Sequence, residues 1–373
     1  MIDTLFPFGF PPATAQYLAL YVITLVVHVV FMNYVLAGSA YLAMDAMRPA
    51  HCRAADQIGT AAALLRDWMP FALSAAITAG VAPLLFVQIL YQERFYTANL
   101  LLFHRWMSIL PVLIVGFYAL YLLKRPSAPR RNWVRVAIGL APFAAIAFTA
   151  ASWTENHLLS QQPQQWPSFY ESGRMVYRSP EMLPRLLVWS VGSVPTACLL
   201  LAWQMRREAR RGRPAGLRSL SHVAAAAIPL TLLCALAYWP ALSPAASRVL
   251  RTRFAFPWMS LALAGLLVQF FGWMRVARVS DAGKAGGRLL LVSAGLAMTL
   301  LGATCVRECI RLSDMEIQPL LARHAHAAGV GGFAVFLGFA VLNILLMAWA
   351  VAIVVRRDDS SAAAPAPSPT PSR

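Results

Sequence analysis

Residues 17–43 read YLALYVITLVVHVVFMNYVLAGSAYLA and contain no Asp, Glu, Lys or Arg. About 20 consecutive apolar residues form a helix long enough to cross the hydrocarbon core of a bilayer. This stretch therefore predicts a transmembrane helix. Eight further apolar stretches follow at 68–91, 104–123, 134–152, 184–204, 220–239, 254–274, 289–306 and 330–355.

The composition excludes a water-soluble globular protein. The chain has 373 residues, of which 13% are charged, and a mean hydropathy of +0.59. Soluble domains carry about 25% charged residues, so about half of the usual solvating side chains are missing here. We predict an all-α integral membrane protein, a bundle of about nine transmembrane helices whose surroundings are the lipid bilayer.

The distribution of the basic residues predicts the orientation of this bundle. When the loops are assigned to alternate sides, 21 Lys and Arg residues fall on one side and 11 on the other. Cytoplasmic loops are the ones enriched in Lys and Arg, so the N-terminus is expected outside and the C-terminus in the cytoplasm. The sequence shows no soluble basic face with aromatic or helical readers, so nucleic acid is not an expected partner.

The chain is expected to form one polytopic domain with a short tail. Residues 1–357 hold the predicted transmembrane domain, and its first apolar stretch is too long for the core of a signal peptide, which predicts an uncleaved helix. Residues 358–373 read DDSSAAAPAPSPTPSR and are too rich in Pro, Ala and Ser to bury a core. They predict a disordered cytoplasmic tail.

His28 is the first candidate for function because it lies in the middle of the first predicted helix, between valines. An ionisable group at that depth is costly unless it is buried in protein and has a partner. Two interpretations stay open. The neutral imidazole bonds a neighbouring helix, or it ligates a metal or haem iron.

Two more polar or sulfur-containing side chains are candidates to line a cofactor pocket. Gln88 falls late in the second stretch, where an amide bonds a facing helix or contacts a cofactor edge or a quinone carbonyl. Met259 begins the seventh stretch behind Pro257, where a thioether packs against its neighbours or serves as an axial haem ligand.

Three further features lie at the ends of the predicted helices. Arg307 and Glu308 are interpreted as a snorkelling pair at the membrane interface. Cys305 and Cys309 share a helix face and are interpreted as small packing residues, with a disulfide as the alternative. The outer loop over 153–184, in which His157 falls, is the longest and is expected to cover a site.

The first stretch resembles the first helix of subunit I of the cytochrome bd-type quinol oxidases, where a histidine in a similar context binds a haem. His28 is the matching position. The segment AITAGVAPLLFVQILY resembles that family's Gly-Val-x-x-Gly stretch and the Glu-x-Gln-Phe element after it, with Gln88 near the matching polar position. ASWTENH and SPEMLPRLLVWSVGSV resemble the family's Ser-Trp-Met-Gln loop and the start of its fifth helix. The resemblance covers most of the chain and implies a nine-helix haem-binding subunit.

Two departures concern the haem ligands. On the fifth helix the family has a histidine ligand to its low-spin haem b, and this chain has Trp189. Whether His104 or His222 replaces that ligand stays open. FAFPWM resembles the family's Phe-Arg-x-Met, so the resemblance implies that Met259 is the other axial ligand, although Pro257 stands in place of the arginine.

Other departures concern oxygen and quinol chemistry. The third stretch contains no acidic residue, whereas the family places glutamates there for haem ligation and proton delivery. The family's Gly-Arg-Gln-Pro-Trp motif is replaced by VRECIRLSD, and the connection over 240–253 is too short for the family's quinol loop. Oxygen reduction by this chain is therefore not expected.

The sequence and the resemblance together predict a membrane subunit of a respiratory electron-transfer complex that resembles bd-type subunit I. The expected cofactors are haem b, with one haem held by His28 and a second at Met259 with an unidentified partner, and a quinone, with Gln88 lining the pocket. The expected electron partners are a quinone or an external cytochrome, beside partner subunits. The alternatives are a cofactor-free anchor or assembly subunit that kept the scaffold, and a small-solute transporter.

Overall fold

The computed structural model of the chain describes residues 7, 9–48, 61–125, 132–212, 216–329, 334–342, 345–346 and 349. Every regular element in this part of the chain is helical. In chain order the α-helices are α1 (Pro12–Met47), α2 (Ala61–Leu101), α3 (Phe103–Lys124), α4 (Asn132–Ser160), α5 (Trp166–Glu171), α6 (Met182–Arg210), α7 (Arg218–Tyr238), α8 (Pro244–Leu250), α9 (Phe256–Val276), α10 (Gly286–Ser313), α11 (Ile317–Gly329) and α12 (Ala334–Leu342).

The prediction of long apolar helices, compatible with a bundle that spans a membrane, is confirmed for the first eight apolar stretches. Eight described helices are long and apolar enough to cross a membrane, and each overlaps one of those stretches; α7 ends one residue before its stretch does, and α9 begins two residues after the start of its stretch. The count becomes nine if α11 and α12 form one bent span. Most of the ninth stretch, 330–355, and the predicted tail, 358–373, lie outside the described residues.

The chain divides into two compact units, one that ends at Leu320 and one that starts at Leu321. The first unit contains all eight long helices. Helix α11 runs across the boundary between the units. All contacts discussed below lie within the first unit.

Helix α1 packs against four other long helices of the first unit, α2, α4, α6 and α10. Polar cross-links fix its rotation within the bundle. The Asn33 amide donates to the Thr196 hydroxyl at 3.1 Å, and the Tyr34 hydroxyl donates to Gln204 at 3.1 Å, both on α6. The half of α1 that follows His28 is therefore enclosed by protein on the side that faces α6.

Helices α9 and α10 approach each other closely through glycines. A Cβ atom added at Gly302 would lie 2.6 Å from the backbone nitrogen of Ala262 and 2.6 Å from the carbonyl oxygen of Trp258. Only a residue without a side chain fits this contact, which is how apolar helices pack tightly in a membrane. Gln269 on α9 adds a hydrogen bond of 2.8 Å to the Thr299 hydroxyl on α10.

The expected long loop over 153–184 is wrong in its first part. Residues 153–160 belong to α4, which continues to Ser160, and α5 follows after one turn of 3-10 helix. Backbone N–H and C=O groups in an apolar environment must bond within the chain, which favours a continued helix over a loop. His157 consequently lies inside α4 and is buried.

The contacts also show how the helices alternate in direction. Tyr21, near the start of α1, contacts Arg307, near the end of α10. At the other end of α1, Asp45 pairs with Arg66 near the start of α2. We call the end of the bundle that holds Tyr21 and Arg307 the first end, and the end that holds Asp45 and Arg66 the second end.

Candidate functional site

His28 lies on α1 with its ring against α2. Its Nδ1 atom is 2.9 Å from the backbone carbonyl oxygen of Ala76. Because a carbonyl oxygen only accepts hydrogen bonds, Nδ1 carries the proton and donates it. Nε2 then has the lone pair, and the described residues provide no hydrogen-bond partner for it.

Gly80 makes the close approach of this ring to α2 feasible. A Cβ atom added at Gly80 would lie 3.0 Å from both Cε1 and Nδ1 of His28 and 3.7 Å from Nε2. The imidazole edge thus occupies the space that any other residue would fill with its side chain. Ala76 and Gly80 are one helical turn apart and together form the seat of the ring.

The other two predicted site residues lie elsewhere on the bundle. Gln88 is half-buried on α2, one turn before a break in helical geometry at Tyr91, where φ is −130° and ψ is 27°. Met259 is half-buried in the first turn of α9. Within the described residues, no side-chain hydrogen bond joins any two of His28, Gln88 and Met259.

The resemblance expects a histidine ligand of the low-spin haem at the position of Trp189. Trp189 is half-buried on α6. His104 at the start of α3 and His222 on α7 are both exposed, and no described contact connects either ring with Trp189. No second imidazole is therefore brought to this position in the described part of the chain.

A buried group of charged side chains lies at the first end of the bundle, where sequence analysis expects an interfacial pair. We call it the arginine cluster. Its members come from α1, α2 and α10 and are Tyr21, Tyr91, Arg307, Glu308 and Arg311.

Glu308 is the centre of the arginine cluster and is 0% exposed. Its Oε2 atom accepts a hydrogen bond of 2.7 Å from the Tyr91 hydroxyl. Its Oε1 atom lies 3.7 Å from Nη1 of Arg307 and 3.8 Å from Nη1 of Arg311. Arg307 also donates to the Tyr21 hydroxyl at 3.0 Å.

The expectation of a snorkelling pair is therefore wrong. Arg307 and Glu308 point into the bundle, and the guanidinium carbon of Arg311 lies 4.1 Å from the centre of the Tyr91 ring. The break at Tyr91 in α2 belongs to the same contact region. The physical reason is that partners on α1 and α2 satisfy charges that a lone helix end would have to send toward water.

A second series of hydrogen-bonded side chains connects α4, α6 and α7 near the first end of the bundle. Arg185 is 5% exposed and donates through Nη2 to Nε2 of His157 at 2.8 Å and through Nη1 to the Tyr238 hydroxyl at 3.2 Å. Tyr238 in turn donates to Oε2 of Glu181 at 2.7 Å. Because guanidinium groups only donate, Nε2 of His157 accepts and its Nδ1 carries the proton.

The arginine cluster lies close to His28 along α1. Tyr21 precedes His28 by seven residues, which is two turns, or about 10 Å, on the same helix face. Tyr91 follows Gln88 by three residues on α2. The structure thus places His28 and the charged groups along one side of α1, and His28 interacts electrostatically with Arg307.

The donors present fit iron at one position. A metal-ligating imidazole commonly donates its second ring N–H to a carbonyl or carboxylate, which fixes the tautomer and the ring orientation. His28 has this arrangement through Ala76. Within the described residues, no group of three or more His, Cys, Asp or Glu side chains is placed to hold a metal ion. Cys305 and Cys309 are both free and buried.

Sequence reasoning missed the buried state of the arginine cluster and of the pair formed by Arg185 and His157. The available signal was the clustering of charged residues within one turn of α10, at Arg307, Glu308 and Arg311. Three charges in one turn beside an apolar helix are costly to bury unless neighbouring helices pair them.

Comparison with known proteins identifies no relative of this chain. No protein-family model matches it, no curated protein matches it, and no solved structure matches it.

Proposed function

We propose that the chain is a membrane subunit of a respiratory electron-transfer complex that holds a b-type haem through His28. The single observation that carries this proposal is the hydrogen bond from Nδ1 of His28 to the carbonyl oxygen of Ala76. It leaves Nε2 as the lone-pair donor of an imidazole within a membrane-spanning helix, as iron ligation requires.

In this proposal the residues of the chain have separate tasks. His28 binds the iron, the Ala76 carbonyl holds the tautomer, and Gly80 leaves room for the ring against α2. A bound haem supplies one-electron redox chemistry, which the side chains themselves do not provide. Met259 is the proposed ligand of a second haem and Gln88 a proposed pocket residue, both from the family resemblance.

The proposed setting is a bacterial inner membrane with the N-terminus outside. The excess of Lys and Arg in the loops of the second end supports this orientation, because such loops stay in the cytoplasm. His28 and the first end then lie toward the outer face. Electrons would be exchanged there with a quinone or an external cytochrome, within a complex of partner subunits.

The absorption spectrum of the purified full-length protein tests the proposal. We expect a Soret band and a pyridine haemochrome of b type. The variant His28→Ala should lose at least one haem per chain, whereas His326→Ala, which removes an exposed imidazole on α11, should keep the wild-type content.

Two results would contradict the proposal at different points. An unchanged haem content in His28→Ala would show that His28 is not a haem ligand, whereas the proposed redox function would stand. A colourless wild-type preparation would reject the haem itself and would favour a cofactor-free anchor or assembly subunit.

A further inference from the structure

The arginine cluster has more positive than negative charge in a place from which water is excluded. Side-chain exposures are 13% for Arg307, 3% for Arg311 and 0% for Glu308. Glu308 is the one carboxylate within 4.0 Å of either guanidinium group among the described residues. Two buried cations therefore share one buried anion.

The hydrogen-bonding capacity of these groups is only partly used. Nε of Arg307 and both Nε and Nη1 of Arg311 are buried, and the described residues offer them no hydrogen-bond acceptor. The separations of 3.7 and 3.8 Å from Oε1 of Glu308 are ion-pair contacts that are too long for direct hydrogen bonds. Buried guanidinium N–H groups without acceptors are costly, so a native arrangement normally satisfies them.

The neighbouring hydrogen-bonded series adds a third buried cation, Arg185, whose charge also interacts with that of Glu181, and another unused donor. Arg185 interacts electrostatically with Arg307, and His157 interacts electrostatically with Arg307 and Arg311. Nδ1 of His157, which carries the ring proton, is buried without an acceptor. Every unused group named here is a donor, except Oε1 of Glu308.

We propose that the arginine cluster, together with Arg185 and His157, binds an oxyanion of the carboxylate or phosphate class. Such a group neutralises the excess charge and accepts the unused N–H groups. Arginine is well suited to this task because its planar donors match the two oxygens of a carboxylate or phosphate. With a free ion the proposal stands apart from haem binding at His28, because the charges and donors exist without a haem; with a cofactor carboxylate it rests on that proposed function.

The oxyanion has two sources that share this chemistry: a free ion such as phosphate or acetate, or the carboxylate of a bound cofactor. Thermal unfolding of the purified full-length protein, dialysed and then titrated with phosphate or acetate at constant ionic strength, separates them. A free ion raises the unfolding temperature of the wild type in a saturable way. If a cofactor carboxylate occupies the site, added phosphate or acetate leaves the unfolding temperature of the wild type unchanged. The unfolding temperature of His28→Ala, in which the proposed haem is absent, then rises with the added ion.

Three variants identify the site. Arg311→Gln should weaken the apparent affinity by about tenfold, since it removes a charged donor pair. Glu308→Gln should strengthen it, because the competing carboxylate is lost, whereas a purely structural role of Glu308 would only lower stability. Arg105→Gln is the matched control, because Arg105 pairs with the buried Glu155 at 2.8 Å in a separate contact. The affinity of this variant for the ion should equal that of the wild type.

The proposal is overturned if neither ion raises the unfolding temperature of the wild type or of His28→Ala. It is also overturned if Arg311→Gln and Arg105→Gln show the same affinity as the wild type. If Arg311→Gln does not fold, Arg307→Lys serves instead. It keeps the charge but removes the planar donors, so its affinity should also fall.

Discussion

The imidazole of His28 has one defined tautomer because its neighbour is a carbonyl oxygen. The bond to Ala76 spans two helices, so it holds α1 against α2 and orients the ring at the same time. A histidine with a purely structural role would use this bond alone. A histidine with a redox role would use Nε2 as well, and variants around the ring separate the two roles.

Replacement of Gly80 by Ala tests the seat of this ring. The new Cβ atom would lie 3.0 Å from Cε1 and Nδ1 of His28, so the ring must move away from α2. We expect a loss of stability of about 1 to 3 kcal/mol, as is typical of overpacking. The measurement is the thermal unfolding midpoint in detergent.

Gly287→Ala is the control, because a Cβ atom at Gly287 would have nothing within 4 Å. If Gly80→Ala unfolds at the same temperature as Gly287→Ala, the ring is not seated as described. If haem is bound, Gly80→Ala should also shift the Soret band, whereas Gly287→Ala should not.

Replacement of Glu308 by Gln tests the charge balance of the arginine cluster. Without the carboxylate, Arg307 and Arg311 keep two buried charges with no counter-ion. Removal of one partner from a buried ion pair typically costs about 3 to 5 kcal/mol. We expect a large fall in the unfolding temperature in buffer that lacks phosphate and carboxylate ions.

Asp67→Asn is the matched control, since it removes an acid from an ion pair with Lys124 in which the side chains are 62% and 48% exposed. Such exposed pairs contribute about 0 to 1 kcal/mol. Equal losses in the two variants would mean that Glu308 is solvated, contrary to its burial.

At the scale of the element, the sequence predicts the helices well and their charged contacts poorly. Eight apolar stretches identify eight long helices, because an apolar run in a membrane has to satisfy its own backbone. The hydrogen bond that Glu308 accepts comes from Tyr91, which is 217 residues away in the chain. No local pattern encodes that pairing, which depends on the packing of α10 against α1 and α2.

The ends of the helices are also predicted less well from the sequence than the helices themselves. Hydropathy marks 134–152 as apolar, but α4 continues to Ser160 through polar residues that are buried by neighbouring helices. His157 and Glu155 therefore look like loop residues in the sequence and are interior residues in the fold. His28 is predictable as a candidate because it stands alone in an apolar run, whereas its partner is a backbone carbonyl that no sequence pattern reveals.

The contact between α9 and α10 gives a prediction for a whole element. In Gly302→Ala the new Cβ atom would meet backbone atoms of Trp258 and Ala262 at 2.6 Å, and backbone cannot rotate away as a side chain can. We expect the two helices to separate locally, with a loss of about 1 to 3 kcal/mol. The midpoint of thermal unfolding in detergent measures this loss of stability.

Gly192→Ala provides the comparison, because its Cβ atom would meet only the methyl group of Thr231 at 3.3 Å. That neighbour can shift slightly, so the loss should be smaller. A larger loss in Gly192→Ala than in Gly302→Ala would argue against the tight packing of α9 on α10.

At the scale of the molecule, the two ends of the first unit differ in chemistry. The first end holds the buried arginine cluster and the series of hydrogen bonds that links His157, through Arg185 and Tyr238, to Glu181. The second end has the larger share of the basic loop residues. Charge buried inside the bundle and charge exposed in loops have different effects. The former needs a partner, and the latter sets the orientation in the membrane.

Cysteine labelling in intact cells tests the proposed orientation. Arg174 lies between α5 and α6 at the first end, and Arg211 follows α6 at the second end, and both are exposed. In a full-length chain whose native cysteines are replaced by Ser, we expect a membrane-impermeant maleimide to label Arg174→Cys and to leave Arg211→Cys unlabelled. After the cells are permeabilised, Arg211→Cys should be labelled to the same extent, which shows that its thiol is reactive. Labelling of Arg211→Cys alone in intact cells would reverse the orientation and would place His28 and the arginine cluster toward the cytoplasmic face.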